Sequence, residues 1–244
     1  MPLWGVSNLN VITIAIKELK EYILKPGSIS WGLVFPLVFT LAFAVRFGDI
    51  DHLAPGLLSI SILFGTSSFV SSSIIFERRL RTFERLLVAP VTYLEIVMAK
   101  VLVGTLFGLF VGVTSMLVLR FFMIYSIWNK PLLLLSMLLS GLMFSALALY
   151  ISLRVQNPIN AMTWLNLIRL PMIFTSGAIV SLLLFPKWFL IIGLLTPMTY
   201  SVDSLRFSML EYYDVVNPLY SASIMLILAM IFIHLSTRYL KSLY

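Results

Sequence analysis

Residues 101–123 read VLVGTLFGLFVGVTSMLVLRFFM, an apolar stretch with no charged side chain before Arg120. A helix of about 20 residues crosses the hydrocarbon core of a bilayer, so this stretch is long enough for one crossing. Five other stretches have a similar length and character. The predicted spans are about 28–45, 55–76, 101–123, 132–153, 159–180 and 219–237. We therefore expect an all-α membrane protein with six transmembrane helices.

The composition excludes several classes of protein. Of the 244 residues, 60% are hydrophobic and 11% are charged, and the mean hydropathy is +1.03. A soluble domain carries about 25% charged residues, because its surface must face water. The chain has no cysteine, which excludes disulfides and thiolate metal sites. The net charge of +7 is typical of basic cytoplasmic loops, so we expect contact with membrane lipid and no nucleic acid partner.

Residues 1–27 are predicted to form an interfacial amphipathic helix, and residues 28–244 a single transmembrane domain. Apolar side chains recur every three or four residues and form one helical stripe: Leu9, Ile12, Ile16, Leu19 and Ile23. Three lysines lie off this stripe, where anionic head groups would attract them: Lys17, Lys20 and Lys25. A helix packed against other parts of the protein fits the same pattern.

Lysine and arginine are more frequent in the loops on the side of the two chain ends than in the opposite loops. Because cytoplasmic loops carry this excess, both termini are predicted to be cytoplasmic, in a multi-pass protein of the plasma membrane. The sequence has no G-x-x-x-x-G-K-[ST] motif, so we do not expect this chain to hydrolyse ATP. No acidic residue lies within a predicted span, whereas ion-coupled transporters usually need one. This pattern favours an external source of energy.

The most charged part of the chain lies between the second and third predicted spans, ERRLRTFERLLVAPVTYLEIVMAK at 77–100. Its apolar residues have helical spacing: Phe76, Leu80, Phe83 and Leu87. Pro90 ends this helix, and Thr92 with Glu95 forms a T-x-x-E capping box that begins another. We therefore expect a short amphipathic helix parallel to the membrane, a break, and a long helix that continues into the third span.

The opposite face of this short helix carries charges of both signs: Glu77, Arg78, Arg81, Glu84 and Arg85. One interpretation is a membrane-surface helix anchored by its arginines. The other is a docking site for a soluble protein, because an anionic lipid surface would repel the glutamates whereas a protein groove can pair both signs. The spacing alone leaves both interpretations open.

Arg169 lies near the middle of the fifth predicted span, with Asn166 one turn away and Asn160 towards its cytoplasmic end. A charge at this depth is costly and usually faces a cavity or a partner. One interpretation is a polar patch on a translocation path that attracts an anionic group. The other is a structural anchor that binds carbonyl groups near Pro171.

Residues 181–218, between the last two predicted spans, are unusually apolar and contain Pro186 and Pro197. They are too few for two further crossings. We therefore expect a re-entrant or interfacial segment at the outer surface.

Residues 77–100 resemble the signature of ABC-2 type permeases, the membrane subunits of one class of ATP-binding-cassette exporter. The matching residues are Glu77, Arg78, Thr82, Glu84, Leu86, Pro90, Glu95 and Lys100. Arg81 stands where that family usually has glycine. A second block is also similar to the family, at Pro171, Ser176, Gly177, Pro186, Pro197, Thr199, Tyr200 and Arg206.

The resemblance implies two permease subunits per transporter, either two copies or a paralogous pair, and two copies of a separate ABC ATPase that binds ATP and Mg. This chain would carry no cofactor and perform no catalysis. The coupling helix at 77–89 would contact the ATPase through Glu77, Arg78, Arg81, Thr82, Glu84 and Arg85, and the permease pair would form a path between its subunits. The polar residues of the fifth span, Asn160, Asn166 and Arg169, are the candidates for that path. The substrate would be a drug, a lipid or a polysaccharide-like molecule moved outward. The alternative is an ATP-independent secondary transporter or a lipid scramblase.

Overall fold

The computed structural model describes residues 8–47, 52–122, 127–155, 157 and 160–242, and within these ranges it contains helices and connecting turns but no strand. The α-helices are α1 Asn8–Tyr22, α2 Pro26–Ile29, α3 Phe35–Phe47, α4 Ala54–Arg79, α5 Thr82–Leu87, α6 Tyr93–Phe122, α7 Lys130–Arg154, α8 Ala161–Thr175, α9 Lys187–Leu195, α10 Pro197–Leu210 and α11 Pro218–Ser242. A π-helical segment, Ser30–Val34, joins α2 to α3, and a short 3-10 turn, Leu182–Leu184, precedes α9.

Among the described residues, five helical stretches are long and apolar enough to cross a membrane: Pro26–Arg46, Ala54–Arg79, Tyr93–Phe121, Lys130–Arg154 and Pro218–Ser242. A sixth is obtained if α9 and α10, which are bent by 95° relative to one another, are taken as one broken span. The multi-span, all-helical prediction is therefore confirmed at five to six candidate spans.

The predicted fifth span at 159–180 is wrong in its extent. The helix found there, α8, has only 15 residues and ends at Thr175. Gly177 follows with φ of 78°, a left-handed conformation that terminates helices and that glycine adopts without steric cost. The helix α8 is therefore shorter than the predicted span.

The helix α4 lies at the centre of the molecule, and nearly all of its residues are buried. It packs chiefly against α6 and α7, and also against α10. Close approach of these helices depends on small side chains, because a Cβ added at Gly108 of α6 would overlap Thr66 of α4, and one at Gly104 would overlap Ser145 of α7. The glycine spacing of α6 therefore serves packing within the chain.

Serine hydroxyls join the central helices to one another. Ser201 of α10 lies 2.8 Å from Ser59 of α4 and 2.7 Å from Ser140 of α7, measured between Oγ atoms. A third pair, Ser136 and Ser204, has an Oγ–Oγ distance of 2.7 Å. Small hydroxyl side chains allow close helix contact and form hydrogen bonds where no water is present, so they hold α4, α7 and α10 together.

The sequence predicted a single helix at 77–89, but the structure has two helices separated by a turn, so the predicted apolar stripe is not continuous. The long helix α4 continues to Arg79, a turn follows, and α5 begins at Thr82. Arg81 adopts φ of 55° in this turn. That left-handed conformation cannot be part of a right-handed helix, so Leu80 is exposed whereas Phe83 is buried.

The predicted capping box is present at the start of α6. The backbone N–H of Thr92 donates to Glu95 Oε2 at 2.6 Å, and the backbone N–H of Glu95 donates to Thr92 Oγ1 at 3.2 Å. These bonds satisfy two donors that the helix itself leaves free. The helix consequently begins at Tyr93, several residues before the predicted third span.

Candidate functional site

The segment predicted to couple to an ATPase has two kinds of residue. Arg81 and Glu84 are exposed, on the turn and on α5. Glu77 is fully buried, and Arg78 is turned inward, so these two do not lie on an exposed face. The backbone of Arg85 belongs to α5, but its side chain lies outside the part of the chain that the structure describes.

Arg78 fixes the end of α7. Its Nη1 donates to Val155 O and its Nη2 to Leu153 O, both at 2.7 Å. Its guanidinium carbon lies 5.6 Å from the ring centroid of Phe83, which faces inward from α5. A cation near the C-terminus of a helix is favourable, because the last carbonyl groups are unpaired there. Arg78 thus connects α4, α5 and α7.

The position of Thr82 is set by the same turn. Its Oγ1 donates to the backbone carbonyl of Glu77 at 3.3 Å. This hydrogen bond satisfies one of the carbonyl acceptors that α4 leaves unpaired at its C-terminus. Thr82 therefore joins α5 to the end of α4.

Five polar side chains, which we call the inner charge cluster, lie beneath the turn: Lys17, Glu18, Ser73, Glu77 and Lys100. Lys100 Nζ lies 2.6 Å from Glu18 Oε1 and 2.7 Å from Glu77 Oε2. Lys17 Nζ lies 2.7 Å from the other oxygen of Glu77. Ser73 Oγ donates to Glu18 Oε2 at 2.5 Å. Two ammonium groups therefore balance two carboxylates.

The inner charge cluster joins three helices that are distant in the sequence. Glu18 belongs to α1, Glu77 to α4 and Lys100 to α6. A buried charge is stable only when paired and hydrogen-bonded, so the cluster constrains the positions of all three helices. The cluster therefore links the end of α4, next to the turn that leads to α5, with α1 and α6.

Burial is the largest influence on the pKa of Glu18 and raises it, while the Lys100 amine opposes that change. For Lys17, burial lowers the pKa, but the carboxylates of Glu77 and Glu18 outweigh it and leave the pKa above its usual value. Lys17 therefore remains charged at neutral pH, and its charge favours the ionised carboxylates beside it.

The helix α1 uses a different face for packing than the predicted stripe. Ile14, Glu18 and Tyr22 are buried, whereas Ile12 and Ile16 are exposed. Residues 14, 18 and 22 are spaced four apart, which places them on one face of the helix. This buried face was not predicted from the sequence, because a glutamate at position 18 interrupts its apolar pattern. The exposed isoleucines leave one apolar face of α1 uncovered within the described part of the chain.

Arg169 is turned towards the protein interior and is 1% exposed. Its Nη1 donates to the Oγ atoms of Ser67 and Ser68, each at 2.9 Å, and its Nε donates to Asn166 Oδ1 at 2.7 Å. Its guanidinium carbon also lies 4.1 Å from the ring centroid of Phe64. The partners are thus serines of α4, and not the carbonyl groups near Pro171.

The outward face of α8 carries a separate groove of about 700 Å³. Asn160 and Asn166 both line it, together with Trp164. Arg169 contacts it only through its bond to Asn166. Of the three residues predicted for a translocation path, Asn160 and Asn166 therefore line the groove. Arg169 lies on the buried side of α8 and donates a hydrogen bond to Asn166.

The second signature block holds the bend between α9 and α10 in place. Thr199 Oγ1 donates to Gly193 O at 2.6 Å, and the Tyr200 hydroxyl donates to Leu194 O at 2.6 Å. These bonds pair carbonyl groups at the end of α9, where the helix cannot do so.

A buried ionic group supports the same region from the other end of α10. Arg206 Nη2 donates to Gly177 O at 2.8 Å, and the guanidinium also pairs with Asp214. Asp203 accepts bonds from the backbone N–H groups of Val215 and Val216. Arg206 is thus buried within an ionic group that links α10 to Gly177 and to Asp214.

Comparison with known proteins identifies the family. Residues 10–210 match the family model described as the ABC-2 type transporter. The chain is 26% identical over 198 residues to the inner membrane transport permease YadH of Escherichia coli K12, which covers 79% of this chain and 77% of that protein. It is 23% identical over 211 residues to the putative transport permease ycf38 of Cyanophora paradoxa, covering 75% and 68%. The chain therefore belongs to the ABC-2 type transporter family and is a transport permease, the membrane component of a transporter.

Proposed function

We propose that this chain is the permease subunit of an exporter powered by a separate ATPase, which docks on the turn at Arg81 and on α5. The observation that carries this proposal is that α5 follows the end of α4 after a short turn, while Glu77 in the last turn of α4 belongs to the inner charge cluster. A partner that moves α5 would therefore move the central helix α4 as well.

The chemistry of the exposed face supports a protein partner over a lipid surface. Glu84 is exposed between arginines, and an anionic lipid surface would repel it. We call Arg81 and α5 together the docking segment. Glu77 and Arg78 bind buried partners and do not belong to its exposed face, so their role is to hold the end of α4 from which the docking segment extends. On this proposal the two ATPase copies, with their ATP and Mg, lie on the cytoplasmic side together with both termini.

We further propose that the translocation path follows the outward face of α8, where Asn160 and Asn166 line a groove. A second copy of the chain or a paralogue would close this groove from the opposite side. The substrate class remains a drug, a lipid or a polysaccharide-like molecule, since amide side chains can bind any of these through hydrogen bonds. Arg169 would orient Asn166 through the bond to its side-chain oxygen.

The alternative is an ATP-independent secondary transporter or a lipid scramblase, and an ion-coupled transporter would need a membrane carboxylate that is free to exchange protons. Asp203 of α10 is buried, but its carboxylate already binds backbone N–H groups and lies 3.4 Å from Arg206. Glu77 is likewise held between two lysines. Neither carboxylate is open to exchange a proton with water, which favours an external motor.

The test is a comparison of two charge reversals in the complex purified with its ATPase. Glu84→Arg should abolish the stimulation of ATP hydrolysis by the permease, because it reverses a charge at the docking surface. Glu211→Arg reverses an exposed charge at the C-terminal end of α10 and should keep the stimulation. Equal stimulation in both variants, or transport by the chain without any ATPase, would refute the docking proposal.

A further inference from the structure

A groove of about 870 Å³ lies between α6 and α11, at the end of the molecule that carries α5. It exists because α11 packs chiefly on α7 and α10 and approaches α6 less closely. Its volume falls within the range of ligand-binding pockets, about 300–1,000 Å³. None of the charged and polar residues assigned above to coupling or translocation lines it.

The groove has an apolar part and a positively charged part. Leu226 and Met230 line the apolar part and are each about half exposed. Lys241 lies at the other end, with His234 and Thr237 between. Among the described residues that line the groove, none is acidic. An elongated ligand with an apolar tail and an anionic head matches this distribution.

The length of the groove matches one leaflet of a bilayer. From Leu226 to Lys241 the helix α11 rises about 22 Å, at about 1.5 Å per residue. A bilayer with its head-group regions is about 40–45 Å thick, so one leaflet is about half of that. A lipid whose head group lies at Lys241 would therefore place the end of its chain near Leu226. An apolar groove that opens to a bilayer is filled by lipid, because no water is available there.

We propose that this groove binds one phospholipid with an anionic head group, its phosphate at Lys241 and an acyl chain along Met230 and Leu226. Leu87, the last residue of α5, and Val91 form part of the same wall. The bound lipid would thus contact the link between α5 and α6.

The absence of cysteine in the chain allows a direct measurement. In the variant Met230→Cys, the only thiol can carry a fluorophore inside the groove. The full chain is reconstituted in phosphatidylcholine nanodiscs. One series of samples receives phosphatidylglycerol with a quenching spin label on its acyl chain, and the other receives phosphatidylcholine with the same label. We expect phosphatidylglycerol to quench at about fivefold lower concentration than phosphatidylcholine, the effect of one lysine near an anionic lipid.

Two lysine substitutions in the labelled chain distinguish binding at Lys241 from a general attraction of anionic lipid to the basic protein surface. Lys241→Gln should remove the preference for phosphatidylglycerol, whereas Lys187→Gln, at an exposed lysine of α9, should keep it. Equal quenching by the two lipids, or a preference that survives Lys241→Gln, would overturn the proposal. A disulfide-linked dimer of Met230→Cys would also overturn it, because a second copy would then cover the groove. Leu226→Cys repeats the measurement one helical turn away.

Discussion

Lys100 Nζ lies 2.6 Å from Glu18 Oε1, so a buried ion pair holds the long helix α6 to the N-terminal helix α1. The same ammonium lies 2.7 Å from Glu77 Oε2 of α4. Lys100 of α6 thus joins three helices.

Replacing Lys100 should destabilise the protein strongly. Lys100→Met leaves Glu18 buried without its ammonium partner, and removal of one member of a buried pair costs about 3–5 kcal/mol. Thermal unfolding of the detergent-solubilised chain measures this loss. The double variant Lys100→Met/Glu18→Leu should be more stable than Lys100→Met alone, since it removes one orphaned carboxylate. Glu21→Gln, at a half-exposed site, is the control and should change stability by less than about 0.5 kcal/mol.

Arg81 should be replaceable by glycine with a gain in stability. Its left-handed conformation costs an L-residue about 1–2 kcal/mol, of which the greater chain entropy of unfolded glycine cancels a part. We expect Arg81→Gly to stabilise the chain by about 0.5–1 kcal/mol, as measured by thermal unfolding. Arg79→Gly, in the last turn of α4, should instead destabilise it by about 0.5–1 kcal/mol. A loss of stability in Arg81→Gly would show that the arginine side chain makes contacts worth more than the strain.

Arg81→Gly also separates stability from docking. If Arg81 contacts the ATPase, the variant should fold more stably and yet stimulate ATP hydrolysis less. The measurement is the ATPase rate of the purified complex at equal permease content. Undiminished stimulation would exclude Arg81 from the docking surface.

Arg169 and Asn160 should affect different properties. Arg169→Met removes three hydrogen bonds from a charged donor and should lower stability by about 2 kcal/mol. Asn160→Ala, on the exposed groove, should leave stability unchanged and alter transport. Unfolding and transport assays on both variants check this. A stable Arg169→Met chain with altered transport would mean that Arg169 itself contacts substrate.

Gly108 should not tolerate a methyl group. Gly108→Ala places a Cβ against Thr66 and forces α6 away from α4, and such overpacking costs about 1–3 kcal/mol. Val113→Ala, at a half-exposed position of the same helix, provides the control. The yield and thermal unfolding of the two variants should differ clearly. A double variant Gly108→Ala/Thr66→Ser, which removes the facing methyl, should recover part of the loss.

Local sequence patterns were sufficient for the features that depend on one segment at a time. The apolar stretches predicted α4, α6, α7 and α11, because a span needs only length and hydropathy. The capping box at Thr92 and Glu95 was predicted because its two partners are three residues apart. The left-handed turn at Arg81 was not predicted, although the family usually has glycine at this position and glycine favours that conformation.

The sequence by itself determined that the chain is a helical membrane protein, since its apolar content leaves no other way to satisfy the backbone in lipid. Only the tertiary structure decided that Glu77 faces inward, because its partners Lys17 and Lys100 lie far from it in sequence. The same holds for Arg169, whose serine partners belong to α4. Ion pairs and hydrogen bonds between distant helices depend on how those helices pack, and no local spacing records that packing.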